Sequence, residues 1–219
     1  MKKESMLEIK VKLEKVTKFF RNQEVLRNID LEIHKGVCTG IIGSNGSGKT
    51  VLLKLICGLM FPQIGFVYVD EKRIGKDIDF PDRMGAIIET PGFIPYKSGL
   101  KNLLYLASIK NKIGKSQVEK AIRKVGLDPS DRKHVVKYSL GMKQRLGLAQ
   151  AIMESPDLLI LDEPMNGLDK NSVSEIRSLL LQLKEEGVTI IIASHLQADI
   201  DLLCDVVYEM DGGKLTKLG

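Results

Sequence analysis

No stretch of this chain stays apolar for the roughly twenty residues that a membrane-crossing helix needs, so no transmembrane helix is expected. The N-terminal run Met1-Lys2-Lys3-Glu4-Ser5 leads into alternating residues without an apolar signal core, and no export signal is expected. Cysteine is scarce: Cys38, Cys57 and Cys204 lie far apart, each in an apolar run. They read as small buried hydrophobes of a reducing cytosol, with neither a disulfide framework nor a metal-binding pattern. Histidine is equally scarce and scattered, which speaks against a zinc site. There is no internal repeat, low-complexity tract or linker.

What remains is the composition of a globular protein, 43% hydrophobic and 28% charged. Its 219 residues suffice for one large core or for a core with a small appended lobe. The net charge of +5 is unevenly placed: Lys101 to Arg145 hold twelve Lys or Arg against Glu119, Asp128 and Asp131. Such a stretch suits an anionic lipid or nucleic acid partner, and equally an ordinary solvated helical surface.

Residues 7–16 alternate, with Leu7, Ile9, Val11 and Leu13 on one side and charged residues on the other. Residues 25–33 do the same, so a two-sided antiparallel sheet is expected. His34-Lys35-Gly36 and Pro62-Gln63-Ile64-Gly65 read as turns, and 66–69 and 84–88 as strands. Helical spacing covers 100–113, and Ser116-Gln117-Val118-Glu119 fits a capping box opening a second helix with Val118, Ile122 and Val125 inward. Residues 141–154, 172–186 and 196–204 read as helices. Leu158 to Leu161 and Val188 to Ala193 are continuous apolar runs suited to buried parallel strands. Val206 to Met210 and Lys214 to Thr216, joined by Asp211-Gly212-Gly213, read as a hairpin. The expected class is therefore α/β: a P-loop core with a mostly parallel sheet, an N-terminal antiparallel β part and a helical insertion. The boundaries are a single unit over 1–219, with 1–90 and 150–219 as the core and about 91–149 as the helical part.

Gly43-Ser44-Asn45-Gly46-Ser47-Gly48-Lys49-Thr50 is a glycine, four free positions, then Gly-Lys-Thr. The strand-like Val37 to Ile42 precedes it and the helix-like Val51 to Leu59, with Gly58 as a stop, follows. Glycines let such a loop turn its N–H groups onto phosphate oxygens, and the following helix aims its positive end at the same anion. Lys49 can reach the β- and γ-phosphates and the Thr50 hydroxyl can ligate Mg²⁺. Asp162, ending the 158–161 run, is the candidate metal-binding acid, and Glu163 the candidate general base for an attacking water. His195 follows the next buried strand, where it can touch a γ-phosphate or that water.

Together, Gly43–Thr50, Leu158–Glu163, Ser139-Leu140-Gly141-Met142-Lys143-Gln144, Met165-Asn166-Gly167-Leu168-Asp169 and His195 occur in the order found in ATP-binding subunits of ABC transporters, and the chain resembles that family over essentially its whole length. Ile88 to Phe93 and Tyr138 to Gln144 look like the bacitracin and lantibiotic export or immunity branch. The resemblance implies Gly43, Ser44, Asn45, Gly46, Ser47, Gly48, Lys49, Thr50 and Val51 around the phosphates. It implies catalytic roles for Lys49, Glu163 and His195. Ser139 and Gly141 fall in the loop that binds ATP held by the other subunit, and Asp169 in a loop that contacts that subunit. Phe20 aligns with an aromatic that stacks on adenine; Phe19 is the competing assignment, and a plain core Phe the other. Thr50, Asp162 and Glu89 are the implied Mg²⁺ contacts.

Two departures stand out. The usual Leu-Ser-Gly-Gly-Gln is Tyr138-Ser139-Leu140-Gly141-Met142, and the usual Gln is Glu89, which when ionised only accepts hydrogen bonds. The resemblance implies an ATPase using ATP and Mg²⁺, paired as a homodimer or heterodimer, driving a separate transmembrane permease from the cytoplasmic face of the membrane. The rival is a soluble ATPase of the same superfamily acting on nucleic acid, ribosomes or cofactor assembly. The chain has neither the long coiled-coil insertion nor the second ATPase unit typical of those proteins, so no nucleic acid partner is expected.

Overall fold

The computed structural model describes residues 8–218; Leu7 and the run Met1 to Ser5 lie outside the described residues. In chain order, β1 (Ile9–Phe20) and β2 (Gln23–His34) come first, and β3 (Cys38–Ile42) leads into α1 (Lys49–Ile56). Then follow β4 (Ile64–Val69), β5 (Lys72–Arg73), β6 (Met84–Ile87), α2 (Gly99–Lys110), α3 (Lys115–Lys124), a 3₁₀ turn Val135–Lys137 and α4 (Leu140–Ile152). The chain closes with β7 (Leu158–Asp162), α5 (Lys170–Glu185), β8 (Thr189–Ala193), α6 (Gln197–Leu203), β9 (Val206–Asp211) and β10 (Lys214–Lys217).

The strands form two sheets. One is antiparallel, in the order β2-β1-β4-β5. The other runs β10-β9-β3-β8-β7-β6 and is parallel except for the β9–β10 hairpin. The apolar runs of β7 and β8 are continuous because both faces of this sheet are covered. Leu159, Leu161, Ile190 and Ile192 face a core shared with α2 to α6. Leu158, Ile160, Ile191 and Ala193 face a second core shared with α1 and the antiparallel sheet. Lys10, itself buried, ties the two sheets by ion pairs of 2.7 Å to Asp70 and to Asp157.

Parallel register sets the site. Ile41 lies opposite Ala193, and Asp162 opposite Ala193 on the other side, so the carboxyl ends of β3, β8 and β7 share one edge. The α/β class, the mostly parallel sheet and the antiparallel N-terminal part are as expected. Cys38 and Cys57 are buried, Cys204 is half-buried, and none is in a disulfide.

Several boundaries differ. The first two strands run to Phe20 and back from Gln23, since Arg21, at φ 54°, makes a tight turn of its own. Helix α1 starts at Lys49, inside the phosphate loop rather than after it. It stops at the expected place: Gly58 is left-handed at φ 76°, and the Leu59 N–H returns to the Lys54 carbonyl at 3.0 Å. The capping box at Ser116 is corrected. Helix α3 opens at Lys115 with Gly114 as its cap, and Gln117 Oε1 accepts from the Gly114 N–H at 3.2 Å. Ser116 is already inside the first turn. Val118, Ile122 and Val125 are buried, as their spacing predicts.

Candidate functional site

Between β3 and α1 the chain makes a glycine-dependent loop. Gly43, at φ 150°, could carry no side chain, since a Cβ there would stand 2.3 Å from the Met210 carbonyl oxygen. Gly48 sits at φ 116° against Leu26, directly before the first helical residue. Lys49 is buried and folds back over the loop, its Nζ donating to the Gly43 carbonyl at 2.7 Å and the Ser44 carbonyl at 3.0 Å. Ser47 Oγ is buried and, among the described residues, is the one such side-chain atom without a hydrogen-bond partner.

Opposite the loop, the Thr50 hydroxyl donates to Asp162 Oδ2 at 2.6 Å. Burial pushes the Asp162 carboxyl above its ordinary value; the bond from Thr50 and the charge of Lys49 pull it back, while Glu163 and Glu89 push it up further. Next along the chain, Glu163 adopts φ 50° and its N–H is held by the Ala193 carbonyl at 2.9 Å, which turns it off the end of β7. His195 Nδ1 lies 2.8 Å from Glu163 Oε2. The histidine is 52% exposed and the carboxylate 23%, so the pair is open to a water molecule on one side and fixed on the other.

Lys49, Thr50, Asp162 and Glu163 border one cleft of about 410 Å³, lined also by Asn45, Gly46, Gly48, Val51 and Asn166 and by Val25, Glu89, Thr90, Leu140 and Gln144; His195 is not in the lining and meets the site through Glu163. A hydroxyl and a buried carboxylate converging at hydrogen-bond distance are hard oxygen donors of the kind Mg²⁺ takes, so the residues fit that ion. Among the described residues no three His, Cys, Asp or Glu side chains gather closely enough to enclose a metal by themselves.

Of the other expected residues, Glu89 borders the cleft and pairs with Lys54 at 2.7 Å. Phe20 ends β1, 41% exposed, outside the cleft lining, with Lys18 Nζ 5.5 Å above its ring. Phe19 is half-buried on the same strand. Ser139 caps α4, its Oγ accepting from the Met142 N–H at 3.2 Å. Ser139 and Gly141 stay off the cleft lining, which α4 reaches through Leu140 and Gln144. Asp169 caps α5, accepting from the Ser172 N–H at 3.0 Å; that backbone bond, then the Ser172 hydroxyl, holds its carboxyl below the ordinary value.

The sequence reading assigned no role to Gln144, yet its buried amide donates to the Pro164 carbonyl at 3.1 Å and fastens the turn after Glu163 to α4. Leu140 packs on the same turn: a Cβ on Gly167 would stand 2.3 Å from its Cδ2. Arg145 adds a third tie, to Ser172 Oγ at 2.6 Å and Glu175 at 2.7 Å. The polar type of Gln144 on an otherwise apolar helix face was the available signal.

Against known proteins, residues 26–166 match the family model described as ABC transporter. The bacitracin transport ATP-binding protein BcrA of Enterococcus faecalis is 44% identical, over 97% of this chain and 70% of its own. The lantibiotic transport ATP-binding protein SrtF of Streptococcus pyogenes is 34% identical, over 94% and 88% respectively. Among solved structures, the ATP-binding cassette MJ0796, in a dimeric post-hydrolysis state bound to ADP and Pi, superposes with a TM-score of 0.85 over 95% of this chain and 99% of its own, at 24% identity, and shares the fold. This chain belongs to the ABC transporter family, as one of its ATP-binding, ATP-hydrolysing subunits.

Proposed function

We propose that two copies of this chain close on ATP and Mg²⁺ and drive a separate transmembrane permease that moves a peptide antibiotic of the bacitracin or lantibiotic kind. The observation that carries the hydrolytic part is Glu163, paired with His195 and lining the same cleft as the Thr50–Asp162 pair. The peptide substrate rests on the names of the relatives alone.

Residues 43–51 cradle the phosphates. Lys49 exchanges its loop carbonyls for phosphate oxygens, and Ser47 Oγ has a donor to spare. Thr50 and Asp162 hold Mg²⁺, which when bound neutralises charge on the phosphates. Glu163 accepts the proton of the attacking water, and His195 orients the carboxylate through Nδ1. Ser139 and the bare N-terminus of α4 meet the γ-phosphate of ATP held by the partner, with Gly141 leaving room for it. Phe20 stacks on the adenine. Residues 1–219 act as one ATPase unit whose helical part, about 91–149, passes closure to the permease. No helix among the described residues is long and apolar enough to cross a membrane. On this reading the subunit works as a peripheral protein on the cytoplasmic side, where ATP is.

Phosphate release tests the catalytic assignment. Glu163→Gln lowers turnover by about 10²–10⁴-fold, the usual worth of a general base, while ATP affinity by calorimetry is kept. Wild-type turnover in that variant would sink the reading. Co-purification of a polytopic membrane protein with the tagged chain tests the permease.

A further inference from the structure

Glu89 places a carboxylate on the lining of a cleft that must accept a triphosphate. Its carboxylate already weighs on the site, being one of the charges that raise the proton affinity of Asp162. Yet Glu89 does not turn toward Asp162. Its Oε1 lies 2.7 Å from Nζ of Lys54, which projects from the last turn of α1, the helix that Lys49 and Thr50 begin. A cation there is also favoured by the helix dipole. Glu89 reaches this position with φ 58°, a left-handed conformation that costs a non-glycine residue energy and marks a place where two arrangements can compete. Two residues on, Pro91 packs against α4 so closely that a Cβ on Gly147 would meet its Cγ at 2.5 Å.

We propose that Lys54 is the exchangeable counter-ion of Glu89. While the pair is closed, Lys54 cancels a charge that would otherwise repel the entering triphosphate. When a divalent cation arrives with the nucleotide, Glu89 leaves Lys54 for the cation or its water, because an ammonium and a dication repel each other at one carboxylate. The pair is half exposed, 26% on Lys54 and 64% on Glu89, so it is weak enough to open in every cycle. Lys54 is a positioning residue in this scheme. The inference rests on the nucleotide site proposed above.

Binding of Mn²⁺ in the presence of ADP, followed by electron paramagnetic resonance, and binding of metal-free ATP, followed by calorimetry, test it. Four proteins are compared: wild type, Lys54→Met, Glu89→Gln and the double variant, with Lys54→Gln as a milder substitute should Lys54→Met fold poorly. Lys54→Met is expected to bind Mn²⁺ about threefold to fivefold tighter and metal-free ATP weaker by a similar factor. Adding Glu89→Gln is expected to cancel both effects. Unchanged binding in Lys54→Met and Lys54→Gln, or equal changes with and without Glu89→Gln, would overturn the counter-ion role while leaving the nucleotide site standing. Failure of the wild type to bind ATP at all would overturn both.

Discussion

The phosphate loop and the N-terminus of α4 are built on opposite plans. Around Gly43 to Thr50 most of the charged and hydroxyl groups are held within the chain, Lys49 on the loop carbonyls, Thr50 on Asp162 and Glu163 on His195, while Ser47 Oγ is left without a partner. At the N-terminus of α4, Ser139 only caps its own helix, is exposed, and stays off the cleft that the first region lines. The first region is a site in a single chain. The second has the chemistry of an anion site and nothing in its own chain to bind. The contrast supports the proposal that half of the catalytic apparatus faces outward, toward a partner subunit.

Substituting each region in turn breaks the comparison most sharply. Lys49→Ala removes the one buried cation of the loop and should weaken ATP binding by more than about tenfold in the isolated subunit, as expected for losing a charge-assisted contact. Ser139→Ala should leave that affinity within about twofold, since its side chain is off the chain's own cleft lining, while depressing turnover. Calorimetry on dilute protein measures the first pair and phosphate release the second. Equal losses of affinity in both variants would erase the distinction between the regions.

A smaller effect sharpens the first region alone. Burial holds the Asp162 carboxyl above its ordinary value, so the folded chain binds that proton more tightly than the unfolded chain does. Stability from this group therefore falls as pH rises from the ordinary carboxylate value through the raised one, and its cost is fully present at neutral pH. Asp162→Asn keeps an acceptor for Thr50 and removes the charge. Thermal melts of the nucleotide-free protein between pH 4 and 7 should then lose part of their downward slope, with a slightly higher melting temperature at pH 7. An unchanged slope would remove Asp162 as its source.

How much could be read beforehand follows the same divide. The phosphate loop is contiguous, and glycine spacing, flanking strand and flanking helix all point to it. Asp162, Glu163 and His195 were legible because a buried parallel strand must end at the ligand edge of the sheet. The doubly covered strands β7 and β8 announced themselves by unbroken apolar runs. Contacts between distant segments left no such trace. Lys54 and Glu89 are 35 positions apart and carry no shared period, and the Gln144 bond to Pro164 depends on how α4 docks. Strand β5, two residues long, is too short for alternation to show. At α3, serine followed three residues later by glutamate imitated a cap, because the pattern does not tell which residue first becomes helical. Phe20 ends a strand that runs past the expected residue 16, and it sits under Lys18, off the cleft lining.

Mixing Lys49→Ala with Ser139→Arg tests most directly whether a second copy completes the site. The first variant keeps α4 intact and the second keeps the phosphate loop intact, so each alone should release almost no phosphate. In a mixed dimer one complete site forms from the two intact halves, and ATP hydrolysis reappears on mixing. Hydrolysis that stays absent at every ratio, with both variants folded and associating, would contradict the claim that the loop of one chain works under α4 of another.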